Sequence, residues 1–330
     1  MASKTRWFLR RLLFGALLSA CAAGPGLAAD PVKFPDRPVK IVVPAAAGGA
    51  LDIISRILAN KASEIWGQTV FVENKPGANW QIGMEAVAKS PPDGYTLLFV
   101  ASSGITINPY VFPNMKIDPL KDFIPLTVAT DTPFVLLANP KLPVANIREF
   151  ISYVRANPGK LNHGSNSATT MLVSELFKSE AHLDYTDVNY RGASQAINDT
   201  MVGSVQFCFV DLGSGIGPIE GGLLKGLALT SAQKYKLKPD MDTFADAGLP
   251  GTAVSAKTLI LAPAGVDPKI VAQLSATFET AVMSPDVSAR LQSMGQVVVG
   301  GSPQETHREL SREAAQWRTL IQEKGIRFEQ

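Results

Sequence analysis

From residue 38 onward the chain alternates unbroken apolar runs with amphipathic ones, and this alternation restricts the fold more than any single motif. "VKIVVP" has no polar interleaving, as expected of a strand buried on both faces. Leu51, Ile54, Leu58, Ala62 and Ile65 then recur on one helical face. "TVFVEN" reads as a second strand, "WQIGMEAVAKS" as a second helix, and "YTLLFVAS" as a third strand, introduced by the turn Pro92-Asp93-Gly94. Buried strands joined by crossover helices predict a mostly parallel sheet flanked by helices.

Two apolar strands follow, "FIPLTVAT" and "FVLLANP". A helix "NIREFISYVRA" stops at Asn157-Pro158-Gly159, "LNHGS" leads into the helix "TMLVSELFKSE", and "DVNY", "SVQFCFVDL" and "LKGLALTS" are further strands. Together they make a second α/β unit of about 120 residues, a usual domain size. The strand "AKTLILAPAGV", two helices, a short "QVVVG" strand and a helix from Ser302 to Lys324 complete the chain. Two α/β lobes suggest a ligand-binding protein that closes over a cleft, because open parallel sheets bind beyond the carboxyl ends of their strands.

The N-terminus has a different character. Lys4, Arg6, Arg10 and Arg11 precede an apolar stretch, Leu12 to Ala20, too short to span a bilayer, which reads as a signal peptide over residues 1–29. Two processing routes are open. Gly26-Leu27-Ala28 presents small residues to a signal peptidase, whereas Leu18-Ser19-Ala20-Cys21 resembles a lipobox with lipidation at Cys21. Either way the protein is expected in the periplasm, and losing the leader's four cations turns the formal charge from +2 to −2. A mildly acidic chain without a Lys/Arg cluster offers nothing to nucleic acid. Cys208, inside "VQFCFVDL", reads as a buried strand residue. His163, His182 and His307 are scattered, without a metal-ligand spacing, and no cofactor motif is present.

One stretch invites a ligand. In "VVPAAAGGALDIISR" Pro44 ends the first strand, and Gly48 and Gly49 let the backbone turn and approach a ligand. The helix that follows presents free N–H groups to the turn, which suits a carboxylate or a phosphate. The plainer reading is a tight turn with Asp52 capping the helix. The loop lacks a P-loop ending and the three-glycine dinucleotide spacing, and Gly213, Gly215 and Gly217 miss that spacing too.

The ordered motifs "FPDRPVKIVVPAAAGGALDIISRILA", "VFVENKPGA", "PPDGYTLL", "NPGKLN", "LALTSA", "DAGLPG" and "LAPAGV" are similar to those of the Bug family, periplasmic substrate-binding proteins of tripartite tricarboxylate transporters. The resemblance extends from about residue 33 to 327. It implies a two-lobed, type II Venus-flytrap fold, with lobe 1 at residues 32–133 and 256–330 and lobe 2 at 134–255. It also implies a monomer that carries a small organic acid to membrane permease subunits. The carboxylate would be held by backbone N–H groups and waters of the first loop, here Ala45, Ala46, Ala47, Gly48 and Gly49, beside Asp52.

Other loops at the same strand ends should complete the cleft: Ser102, Ser103 and Gly104 from lobe 1, and Ser165, Asn166, Ser167, Thr169, Thr170 and Asp211 from lobe 2. Hydroxyls there could donate to the acid or to a bridging water, or serve only as helix caps. The chain departs from the family at several of these places. Ala45 replaces an aromatic, Asn79-Trp80-Gln81 replaces a glycine-rich run, Met171 stands where histidine is frequent, and Lys257-Thr258-Leu259 lacks a frequent tryptophan. Trp80 could then stack on a bulkier acid, or simply pack at the start of its helix.

Two other classes remain open on sequence. A sensory protein would use the same cleft and present its closed form to a kinase. An enzyme would need a nucleophile and a base, and no Gly-x-Ser-x-Gly elbow occurs.

Overall fold

The computed structural model describes residues 34–112, 114–190 and 192–325, so the leader, Cys21 and their processing lie outside the described residues. Every strand and helix among those residues belongs to the unit Arg37–Gln330. It opens with strand β1, Val39–Val43, followed by helix α1, Ala50–Trp66, which Gly67 ends in a left-handed conformation. Next come β2, Val70–Asn74, α2, Gln81–Ala88, and β3, Thr96–Ala101. Two single turns of helix, Ser103–Thr106 and Asn108–Val111, lead toward the longest strand, β4, Phe123–Ala138.

The next elements are α3, Ile147–Ala156, β5, Asn162–Ser165, α4, Ala168–Ala181, and β6, Thr186–Asn189. They are followed by α5, Ala193–Val202, β7, Phe207–Asp211, α6, Leu212–Glu220, and β8, Lys225–Leu229. The chain returns along β9, Ser255–Pro263, and ends with α7, Pro268–Met283, α8, Pro285–Ser293, β10, Val297–Gly300, and α9, Pro303–Lys324.

β4 corrects the expectation of two separate strands at 123–138. Bulges between Pro125 and Thr127 and between Val128 and Thr130 absorb the proline and the polar residues, so pairing with β9 continues from Phe123 to Pro133. The first part of β4 pairs with β9 and β10, whereas Phe134 to Ala138 pair with β7 and β8. One strand therefore belongs to both sheets, ordered β2-β1-β3-β9-β4 and β4-β7-β5-β6.

The crossover pairs β1–β2, β1–β3, β5–β6 and β5–β7 are parallel, as the alternation predicts. Each sheet is nonetheless mixed, because the long strands β4 and β9 run antiparallel to their neighbours.

Alternate residues of β4 feed two cores. Phe134, Leu136 and Ala138 pack under α3 and α4, while Val135 and Leu137 pack under α5 and α6. In the first sheet Val42, Leu98, Val100 and Leu259 meet Met84 of α2 and Leu310 of α9. On α1 and α7, Trp66 meets Phe278 edge to face, and Ser275 Oγ donates to Leu126 O at 2.7 Å. Both sheets thus carry helices on both faces, which is why their strands read as unbroken apolar runs. Among the described residues no helix is long and apolar enough to cross a membrane.

Candidate functional site

Register places the predicted loops at common strand ends. Val43 pairs with Asn74 and Val42 with Leu98, so the segments after β1 and β3 leave the first sheet along one edge. Ser165 pairs with Asn189 and Gly164 with Cys208, which does the same for β5, β6 and β7.

The Ala45–Gly49 loop is open at its helix. Gly49 is the N-cap of α1 in an extended conformation and brings no side chain to the first-turn amides. Residues 46–49 are exposed, and Gly48 adopts the left-handed φ of +86° that favours glycine. Asp52 faces the loop from inside the helix: its carboxylate accepts from the Gly48 N–H at 2.9 Å and from Asn74 Nδ2 at 3.0 Å, and pairs with Arg56 at 2.9 Å. Arg56, aided by the Gly48 amide and Asn74, outweighs burial and holds the Asp52 carboxyl down to about 2. Asn74 Nδ2 also reaches Ala45 O at 3.0 Å. Asp52 and Asn74 therefore hold the shape of the loop. In the sequence, the only signal for Asn74 is a polar amide at the carboxyl end of an apolar strand.

Close packing joins this loop to the other two segments of the first sheet. A Cβ on Gly83 would lie 2.7 Å from Pro44 Cβ, so α2 touches the loop only because residue 83 is glycine. Trp80 sits just before α2 and packs against the core that includes Met84, Val100 and Ile105. Its ring also covers Gly104, whose Cβ would lie 3.2 Å from Trp80 Cε3. Ala78, Asn79 and Trp80 all have positive φ, and Asn108 Nδ2 donates to Asn79 O at 3.0 Å. Ser102 and Gly104 are buried and Ser103 is half-buried; the Ser102 N–H donates to Lys257 O at 2.8 Å.

The second-sheet loops are capped by their own side chains. Ser167 is the N-cap of α4 in a capping box with Thr170, whose hydroxyl also accepts from the Asn166 and Ser167 amides at 3.0 Å. Ser165 Oγ lies 3.4 Å from Thr170 Oγ1, and Asn166 Nδ2 donates to Phe209 O at 2.7 Å. Asp211 caps α6 through the Ser214 amide at 2.9 Å and the Ser214 hydroxyl at 2.8 Å. Thr169 is half-buried between these engaged residues. The two sides of the candidate cleft thus differ: the first loop has an uncapped helix, whereas the loops of the second have much of their donor capacity satisfied internally.

His163 has a carboxylate partner that its sequence position does not reveal. Its Nδ1 lies 2.6 Å from Asp187 Oδ1, and its Nε2 accepts from the Phe209 N–H at 3.2 Å. Burial keeps the ring neutral, lowering its pKa despite Asp187. Ser174 Oγ donates to Asp187 at 2.8 Å rather than to the imidazole, and Lys178 also pairs with that carboxylate. A serine, a histidine and an aspartate meet here without the hydroxyl-to-ring bond that would activate a nucleophile. Cys208 is buried in β7, and burial pushes its thiol up to about 12.

Two cavities, of about 90 and about 430 Å³, lie along the crossing strands and share Ser255, Lys257, Glu309 and Arg312. Neither is lined by the predicted loops, and larger surface pockets of about 470 to 500 Å³ lie away from them as well, so the cavities and the strand-end chemistry point to different places. The strand ends carry more weight, since small-ligand sites of open α/β sheets sit there.

The family described as tripartite tricarboxylate transporter family receptor matches residues 54–326. BugT of Bordetella pertussis is 31% identical over 326 residues, covering 97% of this chain and 99% of its own. An R. palustris protein solved with adipate is 32% identical, with a TM-score of 0.77 over 89% of this chain and 99% of that one. MatC of Rhodopseudomonas palustris, solved with bound malate, is 29% identical, with a TM-score of 0.73 over 87% of this chain and 100% of its own.

Proposed function

Because the chain belongs to the tripartite tricarboxylate transporter receptor family, we propose that it is a periplasmic receptor that captures a small organic carboxylate and hands it to the transporter's membrane permease. The observation that carries the site is the uncapped start of α1 at Gly49, which follows β1 at the same sheet edge as the Ser102–Gly104 turn after β3. Backbone N–H groups there meet an anion without a permanent positive charge. The adipate and malate in the two related structures favour an acid as the occupant.

We assign residues 1–29 to a signal peptide, residues 32–133 and 256–330 to one lobe, and 134–255 to the other. The strand pairing supports this division: Pro133 pairs with Ser255, and beyond it β4 exchanges β9 and β10 for β7 and β8. A receptor rather than an enzyme also fits the His163 cluster, in which the serine bonds the carboxylate and not the base.

Thermal-shift titration of the purified protein with succinate, malate, adipate, citrate and aromatic acids tests the proposal. A binder at one hundred times its dissociation constant adds about 2.7 kcal/mol to the folded state. The expected result is a rise in melting temperature with at least one acid and none with its amide. Shifts of equal size from an acid and its amide would refute the carboxylate clamp.

A further inference from the structure

The structure puts Lys257 in a half-buried network of ion pairs and hydrogen bonds. Lys257 lies on β9 beside Asp131 of β4, where the two strands pair antiparallel. Its side chain is 13% exposed, and Nζ is 3.3 Å from both Glu309 and Glu313 of α9. The other oxygen of Glu313, Oε1, accepts from Thr106 Oγ1 at 2.9 Å. Thr106 is fully buried, and its hydroxyl and amide also lie within 3.0 and 2.8 Å of Ser102 O. The Ser102 N–H in turn donates to Lys257 O at 2.8 Å.

These bonds close a ring from β9 through its lysine side chain to Glu313, Thr106 and the Ser102 turn, and back to the lysine carbonyl. The ring fixes both ends of the turn that carries Ser102, Ser103 and Gly104. Charge-assisted bonds between half-buried groups are stronger than neutral ones, and the ring's bonds share their partners, so the ring has one preferred geometry.

We propose that Lys257, Glu313 and Thr106 are positioning residues that hold the Ser102–Gly104 turn in register with β9, so that the turn's donors meet the ligand in step with the strand on which the chain returns to the first sheet. The ligand part of this inference rests on the carboxylate-receptor reading; the anchoring part does not. The ring touches no ligand. It acts by keeping a contact loop rigidly attached to the returning strand β9, so that ligand contact at the turn and the position of that strand are coupled.

Two conservative variants test it. Glu313→Gln leaves Lys257 its partner Glu309, and Thr106→Val keeps the side-chain shape while removing the hydroxyl, so both should fold. Amide hydrogen exchange of the peptide spanning residues 102–107 should rise at least tenfold in each, with protection in β5 and α4 unchanged. Affinity for malate or adipate, whichever wild type binds, should fall about tenfold in each, and by much less than one hundredfold in the double variant, because both break one ring. Lys257→Arg should keep affinity near wild type, whereas Lys257→Met should not.

Unchanged exchange at 102–107 would overturn the inference, as would faster exchange with unchanged affinity. If wild type bound neither acid while exchange rose as expected, the carboxylate reading would fail and the anchoring of the turn would stand.

Discussion

At the scale of single residues, Gly49 decides what the start of α1 can do. Helix N-termini are usually closed by a Ser, Thr, Asp or Asn side chain, and in this chain α4 and α6 follow that habit with Ser167 and Asp211. α1 does not, and its glycine leaves the amides to an outside anion. Gly49→Asp should therefore have opposite effects on stability and binding. The backbone at 49 is extended, and an added Cβ would meet only Ala46 O at an ordinary 3.7 Å, so the side chain fits. An aspartate cap in place of glycine should leave stability equal or raise it by a few tenths of a kcal/mol. The same carboxylate would fill the donors and repel the ligand acid, and carboxylate binding should be lost. A calorimetric titration beside a melting curve checks both; retained affinity would place the ligand elsewhere. Asp52, expected beside the ligand loop, bonds the Gly48 amide and pairs with Arg56. Its position in the sequence was legible, and Arg56 meets it within α1, but its partner Asn74 was not, because Asn74 reaches it only after β2 has paired with β1.

At the scale of elements, β5 and β7 are joined by a histidine that must stay neutral. His163 receives the Phe209 N–H on one nitrogen and faces Asp187 with the other, so a second ring proton would oppose the Phe209 amide. Burial lowers the folded-state pKa below 6.5, and the unfolded chain takes up the proton first. Stability from this residue is therefore complete above about pH 6.5 and lost as pH falls, with a limiting slope near 1.4 kcal/mol per pH unit. For Asp187, burial would raise the carboxyl, but the bonds from His163, Lys178 and Ser174 outweigh it and hold it at about 2, so its contribution disappears only in stronger acid. Melting temperature should fall between pH 7 and pH 5, and His163→Gln should flatten that dependence; a flat wild-type profile would show that the ring titrates normally.

The strands around this cluster were readable because burial on both faces makes them continuously apolar. The helix α5 was not, since "ASQAINDTMV" buries only Ala196, Ile197 and Thr200, too few and too small to give a periodic signal. Likewise the polar residues Thr130 to Pro133 look like a break between strands. In the structure Thr130 and Thr132 are buried, bonded to Thr258 and Gln296, and β4 runs through them.

At the scale of the whole unit, one apolar cluster joins segments assigned to different lobes. Leu172 of α4 packs with Ile107, Val111 and Phe112 from the first sheet's side and with Trp317, Leu320 and Ile321 of α9. A receptor that closes on its ligand divides its free energy between ligand contacts and contacts between lobes. If this cluster belongs to the closed arrangement, it lowers the work that ligand must do, and weakening it should open the free protein. Leu172→Ala removes a fully buried side chain and should cost about 2–5 kcal/mol of stability, whichever state holds the cluster. Stability alone is therefore uninformative. The discriminating quantities are ligand affinity, expected to fall roughly tenfold, about 1.4 kcal/mol taken from closure, and the radius of gyration of the free protein, expected to rise and to return to the wild-type value at saturating ligand. A lower melting temperature with unchanged affinity and radius would mean that the cluster is present in open and closed states alike, and that the lobes move about a line beyond it.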